Sequence, residues 1–121
     1  YVIGSTGTEI RLHALDPASG RPRWSQLLAF ADTKIETDIA RRWMGAPVAL
    51  EQGILVCPTT VGWILGVDRL RRSLLWAHRY LPQDEQDVGN DPTERHVPVR
   101  NLEDRWLPAA PIIHGRLVLW A

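Results

Sequence analysis

Two stretches of the chain carry the same landmarks at one spacing. Leu12-His13-Ala14-Leu15-Asp16 leads through Gly20 to Trp24, and Ile64-Leu65-Gly66-Val67-Asp68 leads through Arg72 to Trp76; Asp to Asp and Trp to Trp both span 52 residues. A fixed internal offset restricts the fold more than any single residue, because each copy must be a unit that buries its apolar face against the next. A second pair of landmarks agrees: Ala46-Pro47-Val48 leads to Gly53-Ile54-Leu55-Val56, and Ala110-Pro111-Ile112 leads to Gly115-Arg116-Leu117-Val118, with a Gly-to-Gly offset of 62. The connecting loop absorbs the difference. Counting back from Asp16 by the 15 residues that separate Gly53 from Asp68 lands on Tyr1, so the chain is expected to open partway through a repeat.

Within each unit the signals are those of strands. Ile54 to Cys57, Trp63 to Val67 and Leu117 to Trp120 are short apolar runs bounded by Gly and Pro, too short for helices and rich in β-formers. The middle unit reads as four strands, Ala46 to Leu50, Gly53 to Cys57, Trp63 to Val67 and Leu74 to His78. Hairpin-length connections make them antiparallel neighbours. The expected fold class is all-β, and a four-stranded meander recurring at this spacing is the signature of a propeller blade. At 121 residues the chain holds about two and a third repeats, fewer than the roughly four to eight blades that close a ring. The expected division is the end of one blade over 1–26, a complete blade over 46–78, a long inter-blade loop over 79–107, and the start of the next blade over 108–121.

The Asp-to-Trp stretch has a physical logic. An Asp at a strand end accepts hydrogen bonds from the amides that follow as the chain reverses. Gly20 can take positive φ without a Cβ clash, and the next strand then carries Trp24, whose ring is expected in the seam between adjacent units. Arg72 stands where Gly20 stood, at a cost of about 1–2 kcal/mol if the conformation is kept; otherwise the turn differs in that unit.

At these residues the chain resembles a family. Ala14-x-Asp16-x-x-x-Gly20-x-x-x-Trp24 is similar to the tryptophan-docking motif of pyrroloquinoline-quinone-type (PQQ-like) β-propeller repeats, found in quinoprotein alcohol and glucose dehydrogenases and in BamB, the lipoprotein of outer-membrane barrel assembly. The second copy keeps Asp68 and Trp76 and has Gly66 and Arg72 in the other two places. The Ala-Pro openings at Ala46-Pro47 and Ala110-Pro111 look like first strands of such blades. Thirteen Arg against the single Lys34 also resemble Arg-rich bacterial proteins of this kind. The resemblance implies an exported, periplasmic or cell-envelope setting.

Composition narrows the function classes. Fourteen Lys plus Arg balance fourteen Asp plus Glu, so there is no overall electrostatic footprint for nucleic acid or an anionic membrane. The longest charge-free stretch, Gln52 to Val67, has 16 residues and is broken by Pro58 and Gly62, whereas a spanning helix needs about 20. The lone Cys57, set in an apolar strand, reads as buried and inert. His13, His78, His96 and His114 have no metal spacing with one another or with Cys57. Gly4-Ser5-Thr6-Gly7 reads as a hairpin turn rather than a phosphate loop.

The two connections read differently. In 27–45, Thr33-Lys34-Ile35-Glu36 fits a capping box, and Ile35, Ile39 and Trp43 lie four apart, so either a short helix ends at Gly45 or an extended loop packs its Ile and Trp on the blade. In 79–107, Asp84, Glu85, Asp87, Asn90 and Asp91 form an acidic cluster without the EF-hand pattern, which reads as a solvated loop.

Three functions remain. A non-enzymatic scaffold would present its loops to protein partners, as the BamB resemblance implies, with no cofactor. A section of a quinoprotein dehydrogenase would bind PQQ and Ca²⁺, yet no catalytic, cofactor-binding or metal-ligating residue can be named for it here. A carbohydrate or other ligand could stack on Trp43 or Trp106. The candidate residues are therefore those of the structural motif: Ala14, Asp16, Gly20, Trp24, Gly66, Asp68 and Trp76.

Overall fold

The computed structural model describes residues 1–43, 45, 47–80 and 109–120. It is an antiparallel β structure in three sheets. The first has the order β1 (Val2–Thr6), β2 (Glu9–Leu15), β3 (Pro22–Phe30). The second is β4 (Ala49–Glu51), β5 (Ile54–Pro58), β6 (Trp63–Asp68), β7 (Ser73–Arg79), and the third is the hairpin β8 (Ile112–His114), β9 (Leu117–Leu119). Among the described residues no helix is long and apolar enough to cross a membrane.

The strands follow the sequence reading with small shifts that have local causes. β4 starts at Ala49, after Pro47, which has no N–H to give a ladder; Ala46 lies outside the described residues. β3 continues to Phe30, opposite Glu9, so the first sheet extends past residue 26. Gly4 to Thr6 belong to β1, and the reversal is the pair Gly7-Thr8, with Gly7 at φ 58°.

Register corrects one expectation. The β4–β5 turn is Gln52-Gly53, closed by the pair Glu51↔Ile54, and the β8–β9 turn is Gly115-Arg116, closed by His114↔Leu117. Turn to turn, Gln52 matches Gly115, an offset of 63 rather than 62. A one-residue slip exchanges the two faces of a strand. At 63, Leu55 and Cys57 correspond to Val118 and Trp120.

The main core lies between the first and second sheets. Leu12 from β2 meets Leu55 and Cys57 of β5 and Leu65 and Val67 of β6, with Ile3, Trp24, Leu28 and Val48 around them. Leu12, Leu55 and Val67 are fully buried, each contributing about 1.5–3 kcal/mol of transfer free energy.

The connection after β3 departs from its expected capping. Ala31 N–H donates to Thr8 O (2.8 Å) and Ile35 N–H to Gly7 O (2.9 Å), so the β1–β2 turn takes the amide that a capping box would leave free. A 3-10 turn, Ile35–Thr37, follows, and α1 is only Ile39–Trp43. Its cap is Asp38, whose Oδ1 accepts from Arg41 N–H at 3.1 Å. Arg41 of α1 is buried and donates from Nη2 to Thr33 O, while Ile39 and Trp43 are 70% and 85% exposed. Ile39 and Trp43 therefore do not pack on the sheet, while Ile35 is half-buried.

Candidate functional site

The two Asp turns are the same structure. Asp16 Oδ1 accepts from Ala18 N–H and Ser19 N–H, both at 3.0 Å, and Asp68 Oδ1 accepts from Leu70 N–H and Arg71 N–H, both at 2.8 Å. Four residues on, Gly20 N–H donates to Asp16 O and Arg72 N–H to Asp68 O, each at 2.8 Å. Gly20 has φ 69° and Arg72 φ 57°. The conformation is therefore kept where the glycine is absent. Both copies also carry an irregularity at the equivalent step, between Ala14 and Leu15 and between Gly66 and Val67. Ala14 then pairs with Trp24 and Gly66 with Trp76.

Both aspartates are held below the usual carboxylate value near 3.8. For Asp16 the leading cause is the Arg23 guanidinium, which donates from Nη2 and Nε to Oδ2 at 2.5 and 3.2 Å, followed by Ser19. For Asp68 it is the Arg71 amide. A carboxylate whose folded value is depressed stabilises the fold above its unfolded value, and that contribution is lost as the pH falls through about 4 and below. Urea midpoints recorded against pH should stay level near neutrality and decline in this acid window. The double variant Asp16→Asn, Asp68→Asn should show a shallower acid decline.

What offsets the strain at Arg72 is visible across the seam. Its guanidinium carbon lies 5.7 Å from the centroid of the Trp24 ring, and Tyr1 meets the same indole at 5.9 Å. A left-handed non-glycine costs about 1–2 kcal/mol, while an exposed cation–π contact returns about 0.5–1 kcal/mol. Strain and contact are thus comparable. Arg72→Ala keeps the strain and loses the contact, whereas Arg72→Gly loses both. Arg72→Gly is therefore expected to be more stable than Arg72→Ala by about 1 kcal/mol in equilibrium urea unfolding. Sequence reasoning assigned position 72 only a cost; its reach to Trp24 becomes apparent once the two units face each other.

The tryptophans occupy corresponding places. The 52-residue offset carries Leu12, Trp24, Gln26 and Leu28 onto Ile64, Trp76, His78 and Tyr80. On the first sheet, Trp24 and Leu28 pack with Leu12 against the core shared with the second sheet. On the second sheet, Ile64, Trp76, His78 and Tyr80 line a groove of about 330 Å³ whose other wall is Val118 and Trp120. Tyr80 and Trp120 meet edge to face, with centroids 4.2 Å apart. Each indole thus looks from its own sheet toward the next.

The polar atoms of these aromatic side chains are turned to the backbone. Tyr80 Oη donates to Thr59 O at 2.5 Å, and Trp120 Nε1 donates to Ala109 O at 3.0 Å. Burial raises the Tyr80 hydroxyl above its ordinary value. A sugar or base would meet ring faces here, with those two donors already committed.

Elsewhere the chemistry is sparse. Cys57 is fully buried and its thiol is pushed up to about 12 by burial, which leaves it protonated and unreactive at neutral pH. Trp63 lies in β6 with the Arg79 guanidinium 5.9 Å from its ring centroid. Trp43 is exposed; Trp106, His96 and the acidic cluster from Asp84 to Asp91 lie outside the described residues. Among the described residues no three His, Cys, Asp or Glu side chains converge as a group that could hold a metal ion. No protein-family model matches the chain, and comparison with curated proteins and with solved structures finds no match.

Proposed function

We propose that the chain is a section of a PQQ-like β-propeller and serves, in the manner of BamB, as a non-enzymatic scaffold for protein partners. In this reading β4–β7 is a complete blade, β1–β3 are the last three strands of the blade before it, and β8–β9 are the first two of the blade after it. The segment that joins β7 to β8 would be the connection between blades.

The observation that supports it best is the repetition of a whole device. An Asp turn with a left-handed fourth residue is followed, four positions later, by a Trp that looks toward the next sheet, and the device recurs 52 residues on with the same hydrogen bonds. Repeated units joined by one type of seam build a rigid body whose turns are free to vary and to bind. Large apolar side chains stand exposed at such places: Leu70 in the Asp68 turn is 77% exposed, and Trp43 lies at the end of α1. Singly exposed apolar residues are ordinary, so their role has to be measured.

The test is site-specific photo-crosslinking of the intact protein in its own cells, with the probe at position 43 or 70. The scaffold reading expects a discrete protein adduct that excess unlabelled protein competes away. Absence of any adduct, together with dye reduction by the purified protein supplied with PQQ and Ca²⁺, would overturn it in favour of the quinoprotein class.

A further inference from the structure

We propose that the free edge of β7 is a docking site for an extended acidic segment of a partner protein, which adds as a further strand beside β7 and sets its carboxylates against the basic turn at 69–72. The proposal names the partner's chemistry for the scaffold reading and rests on it.

The 52-residue repeat supplies the comparison that carries it. β3 and β7 are equivalent strands, each the last of its sheet and each paired on one side only among the described residues. An unpaired edge is a template for another chain, and proteins blunt it with proline and charge. β3 is blunted in this way over its first half: Pro22 offers no N–H, Arg23 is ion-paired to Asp16, and Ser25 and Gln26 follow. Fifty-two residues on, the same four places hold Leu74, Leu75, Ala77 and His78. The proline and the paired arginine have become leucines that are 52% and 46% exposed. β7 thus presents seven residues of edge without a proline, whereas β4, the opposite edge of the same sheet, is only three residues long. The backbone can also spare the contact. The first sheet forms with proline in the place of Leu74, so the ladder to the inner strand needs no N–H there, and that N–H can meet an added strand.

Charge selects the occupant. The turn that leads into β7 carries Arg69, Arg71 and Arg72, all exposed, with Leu70 between the first two at 77% exposure. Among the described residues none of these three guanidinium groups is in an ion pair. The carboxylate of the same turn, Asp68, is engaged by the Leu70 and Arg71 amides and offsets only part of their charge, and Glu51 lies on β4 at the far edge of the sheet. A second copy of this chain does not suit the edge. Antiparallel pairing of β7 with β7 brings the basic turn of each protomer to the Arg79 end of the other, so positive charge meets positive charge at both ends. An extended segment with Asp or Glu at the turn and aliphatic residues along β7 meets both features, its main chain supplying affinity and its carboxylates selectivity.

The experiment follows the fluorescence anisotropy of a labelled peptide titrated with the intact protein. The probe has seven alternating Val and Thr residues, the length of β7, with Glu at both ends; the control has Lys at both ends. The Glu peptide should bind at least roughly tenfold more tightly than the Lys peptide, and the double variant Arg69→Glu, Arg71→Glu should reverse that order. Leu74→Pro installs the residue that the first unit already carries, so the fold should survive while affinity for the Glu peptide falls at least roughly tenfold. In case Leu74→Pro folds poorly, hydrogen exchange on the wild-type protein gives a second reading: the Glu peptide should slow exchange along β7 and leave β3 unchanged. No binding of the Glu peptide, equal binding of the two peptides, undiminished binding by a folded Leu74→Pro protein, or protection on β3 instead of β7 would each overturn the proposal. A dimer in sedimentation that Leu74→Pro dissolves would also overturn it, since the edge would then belong to a second copy. Failure of the scaffold reading is separable: dye reduction with PQQ and Ca²⁺ removes the scaffold and leaves peptide binding at β7 as measured, whereas a competed adduct at position 70 without peptide binding removes the edge and leaves the scaffold.

Discussion

Alanine at position 66 should destabilise the protein by about 3 kcal/mol, at the upper end of the range for forcing extra atoms into a packed site. The Trp76 ring fills the place where a Cβ would stand: a methyl there would overlap Cε2 and Nε1 and come within 2.8 Å of Cδ2. Neither partner yields easily. Gly66 is held in the middle of β6, and Trp76 is held by its cross-strand pairing. The equivalent residue of the first unit is already alanine, opposite Trp24, so the Ala14→Gly variant should cost only the roughly 0.5–1 kcal/mol of a glycine in a strand. Urea unfolding followed by indole fluorescence measures both. Pairing Gly66→Ala with Trp76→Leu should recover part of the loss, since the clash lies between those two positions. A Gly66→Ala protein as stable as the wild type would mean that Trp76 has another place to go.

Removing the first indole should cost more than removing the second. Trp24→Ala empties a position packed against the core of two sheets and strips Arg72 of its cation–π partner, a loss of about 3 kcal/mol, at the low end for a large aromatic because the ring is half-buried. Trp76→Ala removes a ring that lines a groove, and about half that loss is expected. Cys57 provides an internal reporter. Its thiol sits in the Trp24 core and is fully buried, so native-state labelling should accelerate in Trp24→Ala and stay slow in Trp76→Ala. Equal effects of the two substitutions would show that the first seam does not hold the sheets together.

The repeat was legible because it rests on short-range chemistry. An Asp that bonds amides two and three residues ahead, a left-handed residue at the fourth and a large ring at the eighth are set by local geometry, so their spacing survives in the chain. The strands were legible for a related reason, being apolar runs cut by Gly and Pro. What escaped the sequence depends on contacts across space. No capping box forms at Thr33, and the Ile35 amide bonds Gly7 O, a partner far off in the chain. Arg41 rather than Ile39 or Trp43 is buried for the same kind of reason, since its guanidinium reaches Thr33 O. The offset of 62 came from aligning glycines, but turns align by their closing pairs, and Gln52 holds φ 49° without being glycine. The groove was invisible because Val118 and Trp120 come together with Trp76 only when the hairpin β8–β9 is placed beside the second sheet.

The stacking of Arg72 on Trp24 also sets a timetable for the ribosome. The indole leaves the exit tunnel 48 residues before the side chain that caps it, an interval of roughly 2–10 s at roughly 5–20 residues per second. During that interval Trp24 lacks Arg72 and the core side chains of the second sheet, and apolar surface left open in this way is the kind that nascent-chain chaperones recognise. Each new unit would shelter its predecessor and expose its own ring in turn, so vulnerability would travel along the polypeptide with synthesis instead of accumulating.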